Sequence, residues 1–198
     1  MKLLIIGDSF AADWSVKYPK VFGWPNLLSN NYQVTNLAQA GASQYRLLQQ
    51  LLSVDIDQYD VFIVVHTSPY RVPTRQHPVH YHDKLHSNAD LLYSDITYHA
   101  VWYKRLFNRA LASAEDFFVY HFDQDYQETV YQLFVDRINQ ILEHKLVINV
   151  RTPLCPLQIE NALEIKHMVP GVTNHMTLND SIDLYKAIVD KINEIKRS

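Results

Sequence analysis

The chain is 198 residues long with 47% hydrophobic and 20% charged residues, enough to close one core and too apolar for a disordered segment. A formal charge of -3 and a sequence pI near 6.3, with both signs interspersed, provide no basic field for nucleic acid. A single cysteine, Cys155, excludes an internal disulfide and is expected as a small buried apolar residue.

Lys2-Leu3-Leu4-Ile5-Ile6 is a short apolar run that stops at Gly7-Asp8-Ser9-Phe10. Such a run is expected as a buried parallel strand that delivers a polar loop to its C-terminal end, where ligands bind in open α/β sheets. A serine just past that turn, with a helix following, presents its hydroxyl as in a nucleophile elbow. Ser9 is therefore the first candidate for chemistry, although glycine, aspartate and serine are also ordinary turn residues. Asp8 is expected either to fix the turn or to contact substrate. The apolar run is too short for a signal-peptide core, and no stretch approaches the roughly 20 apolar residues of a membrane span. A cytoplasmic protein is the expectation.

Trp24 to Leu28 reads as a short helix with proline in its first turn, and Gln33 to Leu37 as a second strand. The small-residue loop Ala38 to Ser43 follows, with Ser43 placed to cap a helix carrying Leu47, Leu48, Leu51 and Leu52. Gly41 stands out among only 4 glycines, because glycine permits unusual backbone angles and close approach of a ligand. Val61 to Val65 is the clearest buried strand, ending in His66-Thr67-Ser68-Pro69-Tyr70-Arg71. Residues 73–86 carry prolines and His77, His80, His82 and His86 with neither period, so a loop is expected. Ala89 to Ala114 and Gln124 to His144 read as helices, the second placing Val130, Leu133, Phe134, Ile138, Ile141 and Leu142 on one side. Leu146 to Val150 is expected as a fourth parallel strand. Residues 153–169 are ambiguous between a short strand and a short helix. Leu178 to Ile195 closes the chain as a helix with Ile182, Tyr185, Ile188, Val189 and Ile192 at helical spacing. Alternating strands and helices predict one domain, residues 1–198, with a parallel sheet covered on both faces.

Acyl transfer by serine needs a base for the hydroxyl proton and donors for the oxyanion. His175, in the loop directly ahead of the last helix, is the candidate base. The backbone N–H groups of Ser9 and Gly41, with the hydroxyl of Ser68, are the candidate donors. At Gly7-Asp8-Ser9-Phe10, at Asn36 through Gly41-Ala42-Ser43, and at His175, the chain resembles the SGNH hydrolase superfamily of GDSL-like lipases and acylhydrolases. That resemblance implies a three-layer α/β/α sandwich with a mostly parallel, flavodoxin-like sheet. It also implies carboxylic-ester hydrolysis without metal or cofactor, with Ser9 as nucleophile, Gly41 as oxyanion donor and His175 as base. Two departures stand against it: Ser68 and Pro69 replace the asparagine and aspartate of the GxND block, and Val172 occupies the aspartate position of DxxH. Asn174, Asp180 or Asp183, or a backbone carbonyl, would then orient the imidazole.

A serine esterase acting on a small ester or an acylated glycan is the leading expectation. A noncatalytic carbohydrate- or ligand-binding protein on the same fold is the alternative. The histidine cluster around Asp83 matches no metal-ligand motif and reads as a solvated loop or lid. Tyr81, Tyr93, Tyr98, Trp102 and Tyr103 fit a helix core or a pocket lining. Trp14 and Trp24 either flank the site or pack the first loop. Arg71 is assigned either to an acidic group of the substrate or to a salt bridge at the sheet's end.

Overall fold

A computed structural model describes residues 1–18, 20–80, 82, 84–86, 88–99, 101, 106–170 and 172–197. Five strands, β1 (Lys2–Ile6), β2 (Gln33–Asn36), β3 (Val61–His66), β4 (Leu146–Arg151) and β5 (Leu163–Glu164), form one sheet in the order β2-β1-β3-β4-β5. All four pairings are parallel, with Ile6 opposite Val64 and Val64 opposite Asn149. Every strand therefore releases its loop at the same edge of the sheet, and that edge gathers the polar segments after β1, β2 and β3. This order reverses direction between β1 and β3, the topological switch point where ligands bind in such sheets.

Helices α1 (Trp24–Leu28), α2 (Gln44–Leu52), α5 (Gln124–Ile141) and α6 (Leu178–Ile195) cover the two faces. Side chains alternate along each strand, so one strand supplies both layers. Leu3, Ile5, Ile63 and Val65 pack against Trp24 and Leu28 of α1 and against Leu184, Ile188 and Ile192 of α6. Leu4, Ile6, Phe62 and Val64 pack against Leu47 and Leu51 of α2 and Ile138 of α5. All six residues of β3 are buried, which is why that run has no polar alternation. The result is the α/β/α sandwich expected from the alternation of elements. Side-chain caps mark the helix starts: Ser43 accepts from the Arg46 N–H, and Thr177 and Asp180 form a reciprocal capping box.

Several boundaries differ from expectation. β2 stops at Asn36, whose side chain accepts from the Ala38 N–H and donates to the Ala11 carbonyl, turning the chain out of the sheet. No α-helix starts at Ser9; a turn in which the Ala11 and Ala12 N–H groups share the Asp8 carbonyl comes first, and a single 3-10 turn, Trp14–Val16, follows it. The single helix expected over 89–114 is broken: among the described residues it includes α3 (Tyr93–His99) and the start of a separate α4 (Arg109–Tyr120). Leu91 is held extended by an antiparallel bridge to Val72, and Asn108 starts a new helix by capping the Leu111 N–H. These helices meet in a separate apolar cluster of Ile96, Leu111, Ala114 and Phe118. On α5, Leu133 is 61% exposed instead of core, while Tyr131 and Val135 are buried with Ile138. The ambiguous stretch 153–169 contains only the two-residue β5. Tyr81, Asp83, Trp102 and Tyr103 lie outside the described residues. Tyr98 and Tyr93 are exposed, so neither belongs to a core.

Candidate active site

The loop after β1 is built by close approach. A Cβ on Gly7 would stand 2.8 Å from the Val65 Cβ, so only glycine lets the two central strands diverge there without displacement. The Gln50 side chain clamps the same residue, accepting from the Gly7 N–H at 2.9 Å and donating to its carbonyl at 3.1 Å. Asp8 is buried, with one oxygen accepting from the Phe10 N–H at 3.0 Å and the other from Thr67 Oγ1 at 2.7 Å. Burial pushes its carboxyl above the usual carboxylate range, against the opposing effects of Arg71, Thr67 and the Phe10 N–H. Its place among the substrate-contacting candidates is thereby corrected: one oxygen holds the turn after β1 and the other ties it to the loop after β3. Trp14 Nε1 donates to the Ser9 carbonyl and Trp24 Nε1 to that of Phe10, so both indoles pin this loop.

Ser9 and His175, separated by most of the sequence, meet at the sheet edge with Nε2···Oγ at 2.9 Å. The imidazole is held by shape and by backbone. Its ring packs against Phe10 and, edge-on, against Trp14, with centroids 4.9 and 5.6 Å apart. Asn174 and His175 both adopt left-handed backbone conformations, with φ of 50° and 55°, which cost on the order of 1–2 kcal/mol each for an L-residue. Asn174 offsets this by donating through Nδ2 to the carbonyls of Ser9 (3.1 Å) and Ala12 (2.9 Å), tying the histidine loop to the serine loop. The Val169 N–H donates to the His175 carbonyl at 2.7 Å. A Cβ on Gly23 would lie 1.7 Å from Asn174 Oδ1, so glycine there admits the asparagine.

Among the described residues no side chain takes the place of the aspartate for which Val172 stands. His175 Nδ1 is buried without a hydrogen-bond partner. Asp180 is corrected as an orienting group, because its carboxylate accepts from Thr177 in the helix cap. Asp183 is exposed and pairs with Lys186. Asn174 acts on the backbone and not on the ring. Burial, with Arg71 and His86 adding to it, pulls the imidazole down from 6.5 to about 4, so it is neutral at pH 7.

Gly41 has φ +78°, and a Cβ there would meet Ala89 Cβ at 2.5 Å. Neither the Ser9 nor the Gly41 N–H donates to a backbone or side-chain acceptor among the described residues. Ser68 is buried at the end of β3, its Oγ accepting from the Tyr70 N–H at 3.2 Å. The neighbouring His66 is structural. Its Nδ1 faces Gln44 and its Nε2 faces Asn149, and burial pulls it down to about 4.

Arg71 is 8% exposed and its Nε has no partner. The salt bridge considered for it at the sheet's end does not form among the described residues. His77, His80 and His86 stack in the loop above, with neighbouring centroids 4.6 and 5.3 Å apart. Ligating atoms of His77, His80 and Asp95 lie within 4.8 Å of one another. His77 Nδ1, however, accepts from the N–H groups of Val79 and His80, which places its proton on Nε2 and leaves that ring no free lone pair for a cation. Cys155 is buried against the Tyr131 hydroxyl, as expected of a small apolar residue.

No protein-family model and no curated protein matches the chain. Among solved structures it is similar to a lipolytic protein of the G-D-S-L family from Desulfitobacterium hafniense, at 12% identity and a TM-score of 0.36 over 98% of this chain and 73% of that one. An extracellular lipase from Streptomyces rimosus is similar at 12% identity and 0.37, over 99% and 74% of the two chains. A phospholipase A1 from Streptomyces albidoflavus is similar at 12% and 0.39, over 98% and 72%.

Proposed function

We propose that the chain is a divergent SGNH-type serine esterase, and the observation that carries this reading is the 2.9 Å contact between Ser9 Oγ and His175 Nε2. A hydroxyl is a poor nucleophile until a neighbouring base takes its proton. In the proposed reaction Ser9 Oγ attacks the acyl carbon while its proton passes to His175 Nε2. The backbone N–H groups of Ser9 and Gly41, with the Ser68 hydroxyl, donate to the oxyanion. The tetrahedral intermediate expels the alcohol, which takes the proton from His175. Water then gives a proton to the same nitrogen as it attacks the acyl carbon, and the second tetrahedral intermediate collapses to the acid while His175 returns that proton to the departing Ser9 Oγ. No metal or cofactor is required for these steps. A short acyl group such as acetyl on a glycan is the proposed substrate type.

For Nε2 to accept, the ring's proton must sit on Nδ1, where no acceptor meets it. A buried donor left unpaired costs about 1–3 kcal/mol, and loss of a triad acid costs about 10⁴ in rate when the tautomer is wrong. Packing against Phe10 and Trp14 restricts the ring but does not select the tautomer, so turnover is expected to be slow. The same unpartnered nitrogen favours a second reading, a binding protein that keeps the dyad geometry without chemistry. A chromogenic acetyl ester assayed with wild type, Ser9→Ala and His175→Ala separates them. Esterase activity that disappears in both variants is the expected result. Activity surviving both substitutions removes the mechanism, and no activity alongside glycan binding supports the second reading.

A further inference from the structure

A buried cation whose N–H meets no acceptor is unfavourable, and such a group marks a candidate site for an anion. Arg71 is such a group. It forms part of the wall of a cavity of about 310 Å³ between the start of α2 and the middle of α5. Its own surroundings leave the charge unspent. Asp8, the carboxylate whose field reaches it, already accepts from Phe10 and Thr67. Asp90 is paired with Arg46 and accepts the Thr74 and Ser43 N–H groups. The Arg71 Nε therefore lies buried with nothing to donate to.

A second unsatisfied group shares the cavity. Gln44, 2% exposed, gives its Nε2 to His66 Nδ1, and its Oε1 is left without a donor. Apolar walls from Tyr45, Val130 and Phe134 complete the cavity. The pairing of an unmet cationic donor with an unmet neutral acceptor fits one ligand chemistry: an oxyanion carried beside a hydroxyl. Guanidinium groups bind carboxylate and phosphate through their planar N–H array, and an amide oxygen takes a hydroxyl proton. Arg71 also links this cavity to the dyad. Its Nη1 would lie 3.7 Å from a Cβ on Gly41, and its charge lowers the proton affinity of His175.

We propose that this cavity is a subsite for an anionic, hydroxyl-bearing part of the ester substrate, a sugar acid or a sugar phosphate, held by Arg71 and Gln44. The assignment of the ligand as part of the substrate rests on the esterase reading; the anion site does not.

The test uses the Ser9→Ala protein, in which binding is read without turnover. Calorimetric titration with sodium glucuronate, inorganic phosphate and glucose compares carboxylate, phosphate and neutral probes. Saturable binding of glucuronate, phosphate or both is expected, with none of glucose, and the stronger anion identifies its source. Adding Arg71→Gln is expected to weaken that binding about 10- to 100-fold, the range for hydrogen bonds to a charged group. Arg71→Lys, which keeps the charge without the planar fork, should weaken it less. Removing an unpaired buried charge should not lower the melting temperature, so loss of binding will not reflect unfolding. Val130→Trp, which fills the cavity without altering charge, is expected to abolish binding as well. Failure of both anions to bind, equal binding of glucose, or binding undiminished by Arg71→Gln or by Val130→Trp overturns the proposal. Anion binding in a protein whose wild type hydrolyses no ester would overturn the esterase reading and leave the site standing. Ser9-dependent hydrolysis with no anion binding would do the reverse.

Discussion

Gly23→Ala adds one methyl group to the first turn before α1, and the structure makes that methyl consequential for a histidine far along the chain. The new Cβ would stand 1.7 Å from Asn174 Oδ1 and 2.9 Å from its Cγ. Asn174 must retreat by more than about 1 Å to restore ordinary contact, and it is fully buried in a close-packed interior. The retreat breaks its hydrogen bonds to the Ser9 and Ala12 carbonyls. At about 1 kcal/mol each, these two bonds place the stability loss at about 2 kcal/mol. They also fix where His175 stands relative to Ser9, and misplacement of a catalytic group by about 1 Å can lower rate by about 10²-fold. The assay is a double-mutant cycle in esterase kcat/KM and in denaturant unfolding, pairing Gly23→Ala with Asn174→Gly. Glycine at 174 removes the obstructing amide and accepts φ 50° without strain. The alanine should therefore cost much less in that background, giving a coupling above about 1 kcal/mol. Wild-type activity and stability in Gly23→Ala, or strictly additive effects, would refute the assignment of Asn174 as the residue that positions His175.

Other perturbations probe the remaining parts. With His175 at about 4, the base is free above that value, so kcat/KM should hold from neutrality into mild acid and fall as pH drops through about 4; an inflection near 6.5 would contradict the burial argument. Val172→Asp places a carboxylate three residues before the imidazole, at an exposed position. It should raise kcat about 10-fold or more and move the acid limb upward, since the carboxylate favours imidazolium; unchanged kinetics would mean the carboxylate does not reach Nδ1. Gly41→Ala meets Ala89 at 2.5 Å and strains φ +78°; a kcat loss of about 10²–10³ is expected from displacing an oxyanion donor, read against an unchanged KM. His66, buried and held at about 4, contributes stability that is fully present above 6.5 and is lost as pH falls from 6.5 through 4, because the unfolded chain takes up the proton first. Unfolding midpoints should fall across that window, and His66→Asn should flatten the fall.

The parts of the fold that were legible in sequence are those where one periodicity rules. β1 and β3 are continuous apolar runs because both faces of each are covered, and α6 shows a 3.6-residue pattern from its cap to its last turn. Residues 89–114 depart from expectation because helical spacing persists across Leu91, which a tertiary bridge to Val72 holds extended. Leu133 illustrates the same limit, since spacing assigns it to a face that the actual rotation of α5 turns to solvent. At the candidate site, Ser9, Gly41 and His175 stand out as candidates in sequence because they end elements or precede them. The groups that hold them in place do not. Gln50 looks like a surface residue in a leucine helix yet clamps Gly7. Asn174 was considered for the ring and serves the backbone, and only its rare φ betrays the role. Asp180 lies close to His175 in sequence, whereas its Thr-x-x-Asp spacing equally describes the cap it forms.

The central claim is that Ser9 becomes acylated with His175 as its base. Quenching the protein during turnover of an acetyl ester and mapping the adduct by peptide mass spectrometry tests this directly. One acetyl group on the peptide carrying Ser9, strongly reduced in His175→Ala and absent from Ser9→Ala, is the predicted result. Turnover that proceeds with no adduct on Ser9, and continues in Ser9→Ala, would contradict it.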